Sequence, residues 1–389
     1  MSYRLNSDEL GFILRRIDKK IADLSQPTIE ERNSMNKNNP RTSPAGRKPV
    51  SGILADLSSR IIGQPKSLES IVPYVRQYQA GLSPEGRPAG VFLLLGPTGT
   101  GKTRTVEALA EVIHGSHRNV LRIDCGEFQM EHEVCKLIGA PPGYLGHRET
   151  QPLLTQSKLN AVMSERANLA IVLFDEIEKA APSLQRLLLG ILDKGTLTLG
   201  DNTKVNFERT LVFMTSNLGA RELEREIRPT LGLGASLPHN VDISSRLEEL
   251  SIAAAKRFFS PEFMNRLDST LVYRPLSEES IDKILELELA VLGNHLARRL
   301  GDRVFYVQIP KKVRKFLISK GFSPQYGARE LKRTLQNLLI QPLAELLCDG
   351  KIGPGDVVTV RLNSAGTELV IVPDASPAVE ESITVGGAA

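Results

Sequence analysis

The run Gly96-Pro97-Thr98-Gly99-Thr100-Gly101-Lys102-Thr103 holds the residue types that grip a nucleoside triphosphate, at the spacing G-x-x-x-x-G-K-[ST]. Its glycines let backbone N–H groups turn toward phosphate oxygens, and a helix starting there adds a favourable partial positive charge. Lys102 is placed to reach the β- and γ-phosphates, and the Thr103 hydroxyl to hold Mg²⁺. This chemistry needs a strand leading in and a helix leading out. Val91 to Leu95 supply the strand as a short apolar run, and Arg104 to Ile113 the helix, with Val106, Leu109, Ala110 and Ile113 on one face.

Two further apolar runs end in polar groups. Ala170-Ile-Val-Leu-Phe-Asp175-Glu176 closes a buried strand on adjacent carboxylates. In the sheet of a phosphate loop, Asp175 is expected to hold Mg²⁺, directly or through water, opposite Thr103. Glu176 is expected to orient and polarise the attacking water; helix capping is the competing use of such acids. Thr210-Leu-Val-Phe-Met-Thr-Ser-Asn217 places Asn217 within reach of that water or the γ-phosphate, because ligands of open α/β sheets sit at strand C-terminal ends. A turn-forming Ser216-Asn217 pair is the plainer reading of the same residues.

The elements around these residues alternate. Val120 to Ile123 adds a strand candidate, helical stretches lie between the strands, and the pattern reads as an α/β domain over 51–274 with a parallel sheet covered on both faces. From Pro275 the pattern turns helical (Glu278–Leu300, Lys311–Lys320, Ala328–Leu347) and ends in Val357–Leu362 and Glu368–Val372. That predicts a smaller, mostly helical domain over 275–372 with a short strand pair. Residues 373–389, rich in Ala, Gly and Pro, read as a loose tail. Before the α/β domain, Leu10, Leu14, Ile17, Ile21 and Leu24 form the apolar stripe of an amphipathic helix within 1–24, too short to be stable alone. Residues 25–50, polar and Pro-containing, read as a disordered linker.

Composition narrows the classes. The 389 residues are 41% hydrophobic and 24% charged with a net charge of +4, a mild balance that argues neither for nucleic acid nor for a membrane surface. No apolar run approaches a membrane span and the N-terminus lacks a signal-peptide core. Cys125, Cys135 and Cys348 are scattered, with no C-x-x-C pair, so a reduced, cytoplasmic setting is expected.

Together, the phosphate loop, Asp175-Glu176-Ile-Glu-Lys179-Ala180 and Met214-Thr-Ser-Asn-Leu-Gly219 resemble the ATPase module of the Clp unfoldases within the AAA+ superfamily, in particular the C-terminal module of the two-ring members. Arg60-Ile-Ile-Gly-Gln64, Gly139-Ala-Pro-Pro-Gly-Tyr-Leu-Gly146, Phe259-Ser-Pro-Glu-Phe-Met-Asn-Arg-Leu-Asp268 and Tyr326-Gly-Ala-Arg329-Glu-Leu-Lys-Arg333 extend the resemblance from about Ile53 to Val372. It implies an ATPase that uses ATP and Mg²⁺ and assembles as a homo-oligomeric ring, a hexamer. It also implies that Ile61 and Ile62 line the adenine pocket, and that Gly96 to Thr103 and Arg329 bind the nucleotide. Beside Lys102, Glu176 and Asn217, the implied catalytic residues are Arg266, an arginine finger for the neighbouring subunit's γ-phosphate, and Arg329, a sensor arginine of the smaller domain. Tyr144, with Leu145, is implied to grip a polypeptide substrate in the central channel.

The chain departs from the family in places. Glu149-Thr-Gln-Pro-Leu-Leu-Thr155 stands where relatives carry Gly-Gly-Gln-Leu-Thr, and Leu145 replaces a Val. A first ATPase ring, a zinc module and a substrate-recruiting N-domain are not recognisable, which leaves the helix at 7–24 as the candidate adaptor. Leu231-Gly232-Leu233 imitates the tripeptide by which some relatives dock a Clp-type peptidase, although a plain flexible loop is the favoured reading. Two function classes follow: a ring unfoldase that threads protein substrates, with or without a peptidase, and a non-threading ATPase that remodels or scaffolds one dedicated complex. A DNA-handling role is disfavoured by the mild charge.

Overall fold

The computed structural model describes residues 52–139, 152–220, 243–301, 305–322, 327–374 and 382–385. The expected helix at 7–24, the linker at 25–50, Tyr144-Leu145 and Leu231-Gly232-Leu233 lie outside the described residues.

The described chain opens with α1 (Ile53–Ser58) and α2 (Pro65–Gln79), then β1 (Gly90–Leu95), α3 (Lys102–His114), β2 (Leu121–Asp124) and β3 (Ala170–Asp175). It continues through α4 (Pro182–Lys194), an antiparallel pair β4 (Thr196–Thr198) and β5 (Lys204–Asn206), β6 (Thr210–Ser216), α5 (Ile243–Phe258), α6 (Pro261–Asn265) and β7 (Ser269–Val272). The five long-range strands run parallel in the order β2-β3-β6-β1-β7. Strands β1, β3 and β6 are buried at every residue, as unbroken apolar runs between neighbours must be.

Alternation along each strand splits the core into two layers. Val91, Leu93 and Leu95 join Val172, Phe174, Val212 and Met214 on one face, against Leu184, Leu188 and Ile191 of α4. Phe92 and Leu94 join Ile171, Leu173, Leu211 and Phe213 on the other, against Val106 and Leu109 of α3 and Leu68, Ile71 and Val75 of α2. Phe92 stacks on Phe213 with ring centroids 5.0 Å apart and meets the edge of Tyr74 at 5.1 Å, which ties α2 to the middle of the sheet. The strand β7 is one the sequence pattern does not announce: it is four residues long and buries only Leu271 fully.

The second lobe begins with α7 (Glu278–Leu300). Ser277 starts it by accepting the N–H of Ser280 at its hydroxyl (3.2 Å), with Glu278 and Glu279 in the first turn and Arg298 and Arg299 in the last. Then come β8 (Tyr306–Pro310), α8 (Lys311–Gly321), α9 (Ala328–Leu335), one π turn (Gln336–Ile340) and α10 (Gln341–Cys348). The π turn precedes Pro342, which has no N–H to give and whose ring crowds the carbonyl four residues back.

Here the expectation of a strand pair is corrected. The pair β9 (Val357–Leu362) and β10 (Leu369–Asp374) is half of a four-stranded sheet, β10-β9-β8-β11, whose last member β11 (Ser382–Val385) comes from the stretch read as a loose tail. The missed strand β8 alternates, with Val307 and Ile309 buried between half-buried neighbours; at five residues ending in Pro310, it gives too short a signal to stand out. Strand β11 pairs antiparallel with β8, Ile383 opposite Ile309.

Candidate functional site

Strand β1 delivers the chain to Gly96, whose φ of +133° and close approach admit no side chain: a Cβ there would sit 2.5 Å from the Tyr273 carbonyl oxygen. The loop then turns into α3 at Lys102. The Lys102 Nζ donates to the carbonyl oxygens of Gly96 (2.6 Å) and Pro97 (2.9 Å) and to Asn217 Oδ1 (2.8 Å). Burial pulls the ammonium down to about 8, against the carboxylates of Glu178 and Asp175, which favour its charge. A charged group held by weak carbonyl acceptors in a buried place is poised to exchange them for phosphate oxygens.

Strand β3 ends beside it. Asp175 Oδ1 accepts from Thr215 Oγ1 and from Thr103 Oγ1 (3.4 Å), and Asp175 Oδ2 accepts from Arg122 Nη2 at 2.5 Å. A carboxylate and a hydroxyl next to the phosphate loop are hard oxygen donors suited to Mg²⁺, which takes one or two protein ligands and completes its shell with phosphate and water. The next residue, Glu176, is one of two non-glycine residues with positive φ among those described (φ 57°, ψ 49°), a conformation costing about 1–3 kcal/mol. Its N–H is held by Thr215 Oγ1 (3.0 Å), and its carboxylate accepts from Lys179, which raises that ammonium above its ordinary value. The bend turns Glu176 out of the strand and into the cavity. Glu178 Oε1 accepts the N–H of Asn217 (3.0 Å), so the β3 and β6 strand ends are joined to Lys102 through Asn217.

These groups line one end of a cavity of about 700 Å³. Thr98 to Thr103, Asp175, Glu176 and Asn217 form the polar end; Ile61, Ile62, Leu276, Ile284, Leu287 and Val291 form the apolar end. Arg329 of α9 points in from the second lobe. One hydrogen bond seats that lobe on the loop. Ala328 donates its N–H to the Gly99 carbonyl (3.1 Å), with Gly327 (φ +52°) so close that a Cβ would lie 2.6 Å from the same oxygen. Gln64 donates its amide to the carbonyls of Thr100 (3.2 Å) and Arg274 (2.8 Å) and accepts from Arg274 N–H.

Of the residues singled out from sequence, the structure gathers Ile61, Ile62, Thr98 to Thr103, Asp175, Glu176, Asn217 and Arg329 around this cavity. Gly96 and Pro97 hold Lys102 instead of lining it. Arg266 is elsewhere: it caps α6 and pairs with Asp193 (3.2 Å) and Glu262 (3.9 Å). Sequence reading passed over Arg122, Thr215, Glu178 and Lys179. Thr215, Glu178 and Lys179 fall inside motifs that were already marked, whereas only strand register brings Arg122, opposite Leu173, beside Asp175.

Comparison with known proteins agrees with this geometry. Residues 87–270 match the family model described as AAA domain (Cdc48 subfamily), and residues 276–360 match the C-terminal, D2-small domain of ClpB protein. The chain is 37% identical over 316 residues to the chaperone protein ClpB of Mycobacterium tuberculosis, covering 81% of this chain and 33% of that one. It is 36% identical over 315 residues to the chloroplastic chaperone protein ClpC2 of Oryza sativa subsp. japonica, covering 81% and 33%. Among solved structures it resembles the Saccharomyces cerevisiae Hsp104:casein complex in an extended conformation (TM-score 0.70, 27% identity, 88% of this chain and 56% of that one). A closed state of Hsp104 with ATPγS and casein gives a TM-score of 0.69 at 27% identity, with 86% and 53% covered. The chain spans about a third of the length of these curated relatives. It belongs to the Clp-type AAA+ ATPases, as an AAA domain followed by a ClpB-type D2-small domain, homologous to the second ATPase module of ClpB, ClpC and Hsp104. That membership supports ATP binding and hydrolysis in general.

Proposed function

We propose that this Clp-type module hydrolyses ATP at sites completed across the subunit boundaries of a homo-oligomeric ring, a hexamer, and uses the reaction to pull on polypeptide. One observation carries the shared site: every other catalytic candidate faces the cavity, while Arg266 sits on α6 with Asp193 and Glu262. A guanidinium placed there serves a neighbour's nucleotide, where such a group is worth about 10³–10⁵ in rate.

Within one subunit the roles follow from position. The apolar end, with Ile61, Ile62, Leu276 and Leu287, takes the adenine. Backbone N–H groups of the phosphate loop and the Lys102 ammonium take the phosphates, Lys102 giving up the Gly96 and Pro97 carbonyls. Thr103 and Asp175 would hold Mg²⁺, which would supply neutralisation of phosphate charge. Glu176 leaves Lys179 to orient the attacking water and draw on its proton, and Asn217 fixes that water or the γ-phosphate. Arg329 reads the γ-phosphate from the second lobe, so hydrolysis changes how that lobe is held.

Threading is assigned to Tyr144 and Leu145 on the family resemblance, and the cytoplasmic setting rests on the scattered cysteines. The similarity to Hsp104 structures that contain casein supports a polypeptide substrate. The deciding experiment is Tyr144→Ala in the full chain, measured for ATP hydrolysis and for unfolding of a tagged fluorescent protein. Retained hydrolysis with unfolding lost supports threading. Unfolding that survives sinks threading and leaves the reading of a non-threading remodeller of one complex. At Leu231-Gly232-Leu233 a plain flexible loop stays the favoured reading, and co-elution with a Clp-type peptidase, with and without a charge at Gly232, tests the alternative of docking.

A further inference from the structure

Asp175 is bonded more fully than its assigned task requires. Thr215 and Thr103 engage Oδ1, and Arg122 engages Oδ2 at 2.5 Å. The Asp175 side chain is 10% exposed, so its carboxylate has little access to water, whereas the Arg122 side chain is 51% exposed and lines the same cavity. Arg122 comes from β2, the edge strand of the sheet, and can swing outward without disturbing the core. A guanidinium on a carboxylate oxygen stands within a few ångströms of any cation that carboxylate would hold.

We propose that Arg122 is a positioning residue that competes with Mg²⁺ for Asp175, holding the carboxylate in the metal-free site and weakening metal binding until nucleotide phosphates add their own negative charge. The proposal rests on the reading of Asp175 as a metal-holding carboxylate. A guanidinium about 5 Å from a divalent cation lowers its binding constant by roughly tenfold at the dielectric of water, which suits the exposed Arg122, and salt screening reduces this to about fivefold. Metal would then enter with the triphosphate and leave readily with the diphosphate.

The test uses the full chain with saturating ADP and Mn²⁺ as probe, counting free Mn²⁺ by electron paramagnetic resonance. Arg122→Met is expected to bind Mn²⁺ about fivefold more tightly than the natural protein. Arg122→Gln, which keeps a hydrogen-bond donor without the charge, carries the same expectation and stands in if the Met variant misfolds. Arg122→Lys should stay within about twofold of the natural value. Binding of a fluorescent ADP analogue in the presence of a chelator should be equal in all of them, which reports an intact fold. Unchanged or weaker Mn²⁺ binding in both neutral variants would overturn the competition and leave Arg122 as a support for Asp175. Unchanged Mn²⁺ binding in Asp175→Asn would overturn the metal reading itself, and the competition with it.

Discussion

The two ends of the cavity are built on opposite principles. The polar end is made by the parallel sheet: Asp175 and Thr215 lie on buried strands, Lys102, Glu176 and Asn217 follow them, and hydrogen bonds join Lys102 to Asn217 and Thr215 to both Asp175 and Glu176. The apolar end is made largely by the second lobe, whose α7 contributes Ile284, Leu287 and Val291. One end is fixed by a core that extends through five strands; the other is seated through the Ala328–Gly99 hydrogen bond. A site divided this way can hold the reacting groups still while the grip on the nucleotide changes.

The largest losses are expected from changes at the fixed end. Glu176→Gln keeps the shape and removes the carboxylate, so hydrolysis should fall by about 10²–10⁴ while ATP still binds, as read by phosphate release and nucleotide retention. If that variant hydrolyses ATP at near the natural rate, Glu176 does not do the work assigned to it.

Changes in the second lobe should be smaller and of a different kind. Arg329→Ala should lower kcat by about 10- to 100-fold, because it meets charge at the γ-phosphate. Leu287→Ala should raise KM by about threefold to tenfold with kcat unchanged, the mark of lost uniform binding. Steady-state kinetics on the pair separates the two effects, and a kcat loss in Leu287→Ala would contradict the division.

How much of this was legible in the sequence depends on where the information lies. The phosphate loop and the runs into Asp175 and Asn217 could be read because each is local: an apolar strand, then polar residues where a ligand sits. The α7 wall could not. Ile281, Leu285 and Leu289 are buried in the lobe's core, while Ile284, Leu287 and Val291 face the cavity, and periodicity reports both stripes alike. Arg122 was hidden for a related reason, since it reaches Asp175 only through pairing of strands about fifty residues apart. The strands β7, β8 and β11 are four or five residues long and take their register from partners far along the chain.

A subtler distinction concerns protonation at the fixed end. Lys102 is held to about 8 by burial, so in the free site it loses its charge as pH rises through that value. Affinity for a fluorescent ADP analogue should therefore fall above about pH 8, by at most tenfold per unit. Glu178→Gln removes the carboxylate that most favours the charged form and should move that fall to lower pH. For folding the sign is opposite: the native state binds fewer protons than the unfolded chain between about 8 and 10.5, so this group's contribution to stability rises with pH across that window.

A site shared between subunits should be restored by mixing two inactive variants. Glu176→Gln subunits keep Arg266, and Arg266→Ala subunits keep Glu176. Random assembly of equal amounts joins the two intact groups at about a quarter of boundaries. ATP hydrolysis in the mixture should rise well above that of either variant alone. A mixture no more active than its components, in rings shown to exchange subunits, would contradict a shared site.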